Sequence, residues 1–210
     1  QDLPDGTATG PRPKAPTDAF PAWSRSSLQE RGRVLRQVAA SLREHRDALQ
    51  RAMTTEMGKL KTEAVAEVEK CAEVCEYYAD HAADYLQAQP IGTEARKSYV
   101  RFEPIGCIFA VMPWNFPIWQ VFRFLAPTFM AGNVALLKHA SNVPQCADLI
   151  RTVVRGGGVP EGVFDVLHID NDQAADVLRD RRVKAVTLTG SERAGRSIAS
   201  NAGEQLKKCG

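Results

Sequence analysis

Charge of one sign, long apolar runs, internal repeats and dense cysteine spacing are all missing from this 210-residue chain, and each shortage removes a class of function. The 27 Lys and Arg nearly balance the 25 Asp and Glu, giving a formal net charge of +2. Such a balance provides no strong field for nucleic acid or a membrane surface. The longest apolar stretch, around Gly106 to Trp114, is far shorter than the ~20 residues of a membrane helix and runs into Pro113. The five cysteines, Cys71, Cys75, Cys107, Cys146 and Cys209, are odd in number and sparse, so reduced thiols are expected rather than a disulfide scaffold. Cys71 and Cys75 lie one helical turn apart without His or further Cys at a finger-like spacing, so no metal site is expected. The opening residues lack the basic start, apolar run and small-residue cleavage site of a secretory signal, which points to a cytoplasmic chain. An initiator Met is also missing, and the final residues fall within a strand–helix series, so the sequence reads as a piece of a longer chain. With 44% hydrophobic and 25% charged residues, what is present has the profile of a globular protein.

Periodicity divides the chain into four stretches. Residues 1–22 carry Pro4, Pro11, Pro13, Pro16 and Pro21, too many breakers for a regular element, and are expected to be an irregular tail. Residues 23–90 show helical spacing: Leu28, Val34, Leu35, Val38, Ala39, Leu42 and Leu49 recur among charged residues, a second helix is expected from about Ala48 to Thr55, and a third from Thr62 to about Gln87. Residues 91–105 change to alternation, predicting a half-exposed strand over Ser98 to Glu103 in a bridging or oligomerisation region. Residues 106–210 hold four short apolar segments, Cys107–Met112, Val134–Leu137, Phe164–Leu167 and Lys184–Leu188. Helix-compatible segments at Val121–Ala131, Gln145–Arg155, Gln173–Arg179 and Arg193–Ala202 alternate with them. Strand–helix alternation implies parallel pairing with right-handed crossovers. The expected fold is therefore α/β, a Rossmann-like parallel sheet with flanking helices, preceded by an N-terminal helical segment.

No G-x-G-x-x-G fingerprint follows any of these strands, so the fold pattern alone does not justify a dinucleotide. The chemistry is carried instead by short segments in fixed order. These are Glu103-Pro104-Ile105-Gly106, Met112-Pro113-Trp114-Asn115-Phe116-Pro117, Ala131-Gly132-Asn133, Leu137-Lys138 and Thr189-Gly190-Ser191-x-x-x-Gly195. Upstream stands Glu56-Met57-Gly58-Lys59, and later Gly158-Val159-Pro160-Glu161-Gly162-Val163. From about Ala19 onward the chain resembles the aldehyde dehydrogenase superfamily, most closely its bacterial succinate-semialdehyde members.

The resemblance implies a set of roles. Pro113 and Pro117 bracket a rigid turn that aims the Asn115 amide away from the sheet, suiting it to an oxyanion hole; taken alone, an Asn in a turn is more often only a turn. Met112, Pro113 and Trp114 would line the cofactor. Lys138, at a strand end, would bond the adenosine ribose, although composition alone could not distinguish it from a solvated lysine. Ser141 stands where many relatives that use NAD carry Glu, which permits the 2'-phosphate of NADP without excluding NAD. Gly190, Ser191 and Gly195 open a helix whose free N–H groups could hold a pyrophosphate, whereas a lone Gly-Ser at such a place is usually only an N-cap. Arg123 would grip the distal carboxylate of succinate semialdehyde, the alternative being a surface arginine. His139 is expected to make a local structural contact, and Arg179, Arg181, Arg182 and Lys184 to form a solvated edge.

In the superfamily a cysteine thiolate attacks the aldehyde, hydride passes to the nicotinamide, and a glutamate-activated water hydrolyses the thioester. The Glu-Leu-Gly-Gly and Gly-Gln-x-Cys segments that carry these groups match nothing here. Neither Cys107, Cys146 nor Cys209 stands in a catalytic position. The expectation is NAD(P)-dependent oxidation of a small-molecule aldehyde by a homo-oligomeric full-length enzyme, with these residues alone inactive and an uncovered strand edge making them aggregation-prone. A non-catalytic nucleotide-binding module, or a truncated product that pairs with intact subunits, stays open.

Overall fold

The computed structural model describes residues 16–210. Four helices come first: α1 (Pro16–Arg25), α2 (Leu28–Glu44), α3 (Arg46–Met57) and α4 (Lys61–Leu86). A hairpin of β1 (Gln89–Pro90) and β2 (Tyr99–Val100) follows. The remaining elements alternate: β3 (Cys107–Met112), α5 (Trp119–Met130), β4 (Val134–His139), α6 (Pro144–Gly156), β5 (Phe164–Val166), α7 (Asn171–Arg179), β6 (Val183–Leu188), α8 (Glu192–Glu204) and β7 (Lys208–Cys209).

The alternating half forms a five-stranded parallel sheet in the order β5-β4-β3-β6-β7. From β3 the chain steps outward through β4 to β5, then returns across the sheet to place β6 on the other side of β3. The carboxyl ends of β3 and β6 therefore flank the switch point where open α/β sheets bind ligands. Strand β3 is central and almost wholly buried, which is why it reads as a continuous apolar run rather than an alternation. Phe109, Phe122, Phe129, Leu125 and Leu137 fill the core around it.

Helix α2 begins with a capping box: the Ser27 side chain accepts from the Glu30 N–H, and the Glu30 carboxylate accepts from the Ser27 N–H. It packs along α4, which in turn packs on α5. Gly58, at φ 74°, ends α3 in the left-handed conformation that favours glycine. Two sequence landmarks also find each other here. The Asn133 side-chain oxygen accepts the N–H groups of Ile105 (2.8 Å) and Gly106 (3.1 Å), pinning the entry to β3 against the entry to β4.

Three sequence expectations need correction. Residues 16–22, assigned to the irregular tail, are helical, while residues 1–15 of that tail lie outside the described residues. Pro21 removes one helical hydrogen bond, but α1 buries Ala19 and Trp23 in the core, with Trp23 edge-on to Phe129 at 6.0 Å, and this packing outweighs the local propensity. The strand expected over Ser98 to Glu103 is confined to Tyr99–Val100, because its partner is the two-residue β1, whose Pro90 has no N–H to extend the ladder. Strand β7 adds to the sheet beside β6 with only two residues, Lys208 and Cys209, too short a run to carry a strand pattern in the sequence.

Candidate active site

Two turns leave the carboxyl edge of the sheet side by side. Strands β3 and β6 pair in parallel with Val111 opposite Leu188, and the Thr189 N–H donates to the Val111 carbonyl at 3.1 Å. Asn115 lies three residues beyond the end of β3 and Gly190 two beyond the end of β6. The two segments singled out in the sequence thus share one margin of the molecule.

The turn after β3 is exposed at Trp114, Asn115 and Phe116, yet it is held from beneath. His139, at the end of β4, lies opposite Met112 and places Nε2 2.8 Å from the Pro117 carbonyl, while its Nδ1 accepts the Ala140 N–H at 2.8 Å. Those two contacts require the neutral ring with its proton on Nε2. Burial lowers the histidine pKa below its ordinary value and so favours that neutral form. His139 therefore makes the structural contact expected of it. On the other side, Glu67 of α4 accepts the N–H groups of Ile118 and Trp119, both at 2.9 Å, where α5 begins without a side-chain cap of its own. Lys59 pairs with Glu67 and donates to the Asn115 carbonyl at 3.2 Å. Among the described residues the Asn115 side-chain amide has no hydrogen-bond partner and remains available to a ligand.

Arg123, exposed on α5, donates to the Thr189 hydroxyl at 3.2 Å. It therefore links the helix that follows one turn to the residue that opens the other.

A cleft of about 360 Å³ lies beyond the β6 end, lined among others by Lys138, Asn171, Leu188, Ser191, Arg193 and Ser197. Lys138 is only 8% exposed, and burial lowers its ammonium pKa while Asp170 acts in the opposite direction. Ser191 caps α8, accepting the Ala194 N–H at 3.3 Å. The N–H groups of Glu192 and Arg193, in the first turn, have no intrahelical acceptors and form the positive end of the helix dipole. An added Cβ would meet nothing closer than 3.9 Å at Gly190 and 3.7 Å at Gly195. The protein's own packing does not require glycine at either position, so the space they leave suits the close approach of a ligand. A buried cation, a hydroxyl and a helix N-terminus around one cleft fit a dinucleotide's ribose and pyrophosphate.

Ser141 stands apart. It lines a neighbouring depression of about 300 Å³ with His139, Ala140, His168 and Asp170, rather than the cleft of Lys138 and Ser191. Asp170, a carboxylate whose charge acts on Lys138 and which lines this depression, carries no sequence signal of a site, because with Gln173 it has the pattern of a capping box.

Glu103-Pro104-Ile105-Gly106, the Asn115 turn and the Gly190 turn thus occur in one frame, which matches the Aldehyde dehydrogenase family model over residues 13–210. The chain belongs to the aldehyde dehydrogenase family. It is 50% identical over 191 residues to a probable succinate-semialdehyde dehydrogenase, NADP(+), of Synechocystis sp., covering 91% of this chain and 42% of that relative. It is 43% identical over 190 residues to a succinate semialdehyde dehydrogenase, NAD(P)+, of Escherichia coli K12, covering 90% of this chain and 41% of the relative. The crystal structure of succinic semialdehyde dehydrogenase from Streptococcus pyogenes in complex with NADP+ superimposes with a TM-score of 0.89 at 43% identity, over 92% of this chain and 43% of that one. This aldehyde dehydrogenase chain spans about two fifths of the length of the curated relatives it matches.

The remaining candidates are structural. Cys71 and Cys75 are buried free thiols whose pKa values burial raises, and Cys107 is pushed up to about 12 for the same reason. Such thiols are poor nucleophiles and poor metal ligands. Arg179, Arg181, Arg182 and Lys184 are all exposed, with Arg182 paired to Asp180. Among the described residues no helix is long and apolar enough to cross a membrane.

Proposed function

We propose that this chain forms the cofactor-binding and oxyanion-stabilising face of an enzyme that oxidises succinate semialdehyde to succinate with NAD(P). The observation that carries the reading is the unpartnered Asn115 amide at the same sheet margin as the Gly190–Ser191 turn. In this reading the N–H groups that open α8 and the Ser191 hydroxyl hold the pyrophosphate, and Lys138 donates to the ribose. Met112, Pro113 and Trp114 form the wall on which the nicotinamide end rests, and Gly190 and Gly195 leave it room. Bound there, the nicotinamide would supply the hydride acceptor.

Asn115 donates to the aldehyde oxygen as negative charge builds on it, which is where a preorganised amide contributes most. Arg123 presents its planar guanidinium to the distal carboxylate, with Thr189 fixing its orientation. The names of the matched relatives support both the succinate semialdehyde and the dinucleotide. Ser141 and Asp170 line the depression that neighbours the Lys138 cleft, and we assign to them the discrimination between NAD and NADP at the ribose 2'-position.

The nucleophilic thiol and the general-base carboxylate are absent from matching positions in these 210 residues, so the chain alone binds cofactor without turnover. The full-length protein acts as a homo-oligomer in the cytoplasm, with the exposed β1–β2 hairpin as an edge for a further strand.

Spectrophotometric assays with succinate semialdehyde and NADP+ or NAD+ test this. The full-length protein forms reduced cofactor, Asn115→Ala lowers kcat by about 10²- to 10³-fold, the loss typical of one oxyanion donor, and the 210-residue chain forms none. Steady turnover by the chain alone, or an unaffected Asn115→Ala enzyme, contradicts the proposal.

A further inference from the structure

The Lys59–Glu67 ion pair sits deep beneath the Asn115 turn, with side chains only 5% and 2% exposed. Burying two charges is costly, and a buried pair is often replaceable by apolar residues without loss of stability. Stability therefore gives a poor account of its presence. Its contacts give a better one. One Glu67 oxygen takes the ammonium of Lys59, and the other takes the Ile118 and Trp119 N–H groups at the start of α5. Lys59 spends a second bond on the Asn115 carbonyl at 3.2 Å and lies 3.9 Å from the centre of the Phe116 ring. Each of Asn115, Phe116, Ile118 and Trp119 is thus touched by the pair, and His139 donates to the carbonyl of Pro117, the one residue between them. A fully satisfied polar network in a buried place fixes one geometry and penalises others.

We propose that Lys59 and Glu67 are positioning residues that preset the Asn115 amide for the reacting oxygen. The proposal rests on the oxyanion role given to Asn115 above. Lys59 holds the backbone of Asn115 itself, so its action is on the aim of the amide, while Glu67 locks the helix start that carries the turn. The roles assigned to them here run through Asn115 and the start of α5, with no direct contact to substrate or cofactor. The chain geometry supports the assignment: Gly58, in the left-handed conformation, ends α3 and turns the following lysine inward to reach a turn 56 residues away.

The test uses Lys59→Met, which retains the apolar stem against Phe116, and Lys59→Met/Glu67→Gln, which leaves no orphaned charge and so protects folding. In the 210-residue chain, the side-chain amide resonances of Asn115 in 15N NMR should move and broaden in both variants, and stay in place in Arg36→Ala, which breaks the exposed pair with Asp80. In the full-length protein, kcat should fall about 10- to 100-fold, as expected when a donor is misaimed rather than lost. The KM for NADP+ should stay unchanged. In an Asn115→Ala background the same substitutions should cost under ~2-fold, since the group they aim is gone. Unmoved Asn115 resonances, or a kcat loss that multiplies in full with that of Asn115→Ala, would overturn the proposal. A full-length protein without aldehyde oxidation would instead sink the functional reading, and the resonances alone would then decide whether the pair holds the turn.

Discussion

The turn after β3 is tied from below by Lys59, Glu67 and His139, three buried side chains. The turn after β6, at the same margin of the sheet, is joined to its surroundings by the Thr189 N–H bond to the Val111 carbonyl, by the Arg123–Thr189 side-chain bond and by Ser191 capping its own helix, and α8 buries only Ala202. The difference follows the work proposed for each. A donor that meets charge developing in a reaction must already be in place. A phosphate cradle can wait for its ligand, because the ligand supplies the contacts that order it.

The comparison is most severely tested at Glu67. Glu67→Ala leaves Lys59 charged, buried and unpaired and should destabilise the chain by about 3–5 kcal/mol, read as a shifted urea midpoint; a change below about 1 kcal/mol would mean the turn is not clamped as described. On the open side, Lys138→Met should weaken NADP+ binding to the chain by about 10- to 100-fold in calorimetry, the loss of a hydrogen bond from a charged donor, with the unfolding midpoint little changed. Ser191→Ala should cost at most ~1 kcal/mol of stability, since its capping bond is long and α8 is weakly buried.

The smallest effect is the pH dependence of the clamp. His139 is held neutral by burial, so its folded pKa lies below the unfolded value near 6.5. Stability from this group is complete above that value and declines as pH falls through it, because the unfolded chain takes up the proton first. His139→Gln, which can still donate to Pro117, should flatten the slope of the unfolding free energy below that pH. An unchanged slope would place the titration elsewhere.

The open half of this arrangement was far more legible in the sequence than the clamped half. Strand β6 and the helix that follows it announce themselves by an apolar run and by period, and Gly190-Ser191 is a local signal for a helix start. Helix α1 was hidden by its prolines, since Trp23 meets Phe129 only after the chain has folded. The clamp was hidden for a related reason. Glu56-Met57-Gly58-Lys59 stood out as a landmark, but its meaning lies in partners far away: Glu56 accepts the Gln145 and Cys146 N–H groups at the start of α6, and Lys59 reaches Asn115. Glu56, and Glu67 beside Lys59, are caps supplied from a distance to α6 and α5, whose own N-cap residues, Val143 and Ile118, make no side-chain cap bond.

Hydrogen exchange of the 210-residue chain, with and without saturating NADP+, tests the division between the two turns most directly. The amides of Ile118 and Trp119 should exchange slowly in both conditions, and those of residues 190–193 should exchange fast alone and slow strongly with the cofactor. Slow exchange near Ser191 before NADP+ is added, or protection of Ile118 and Trp119 that arises only with it, would contradict the account.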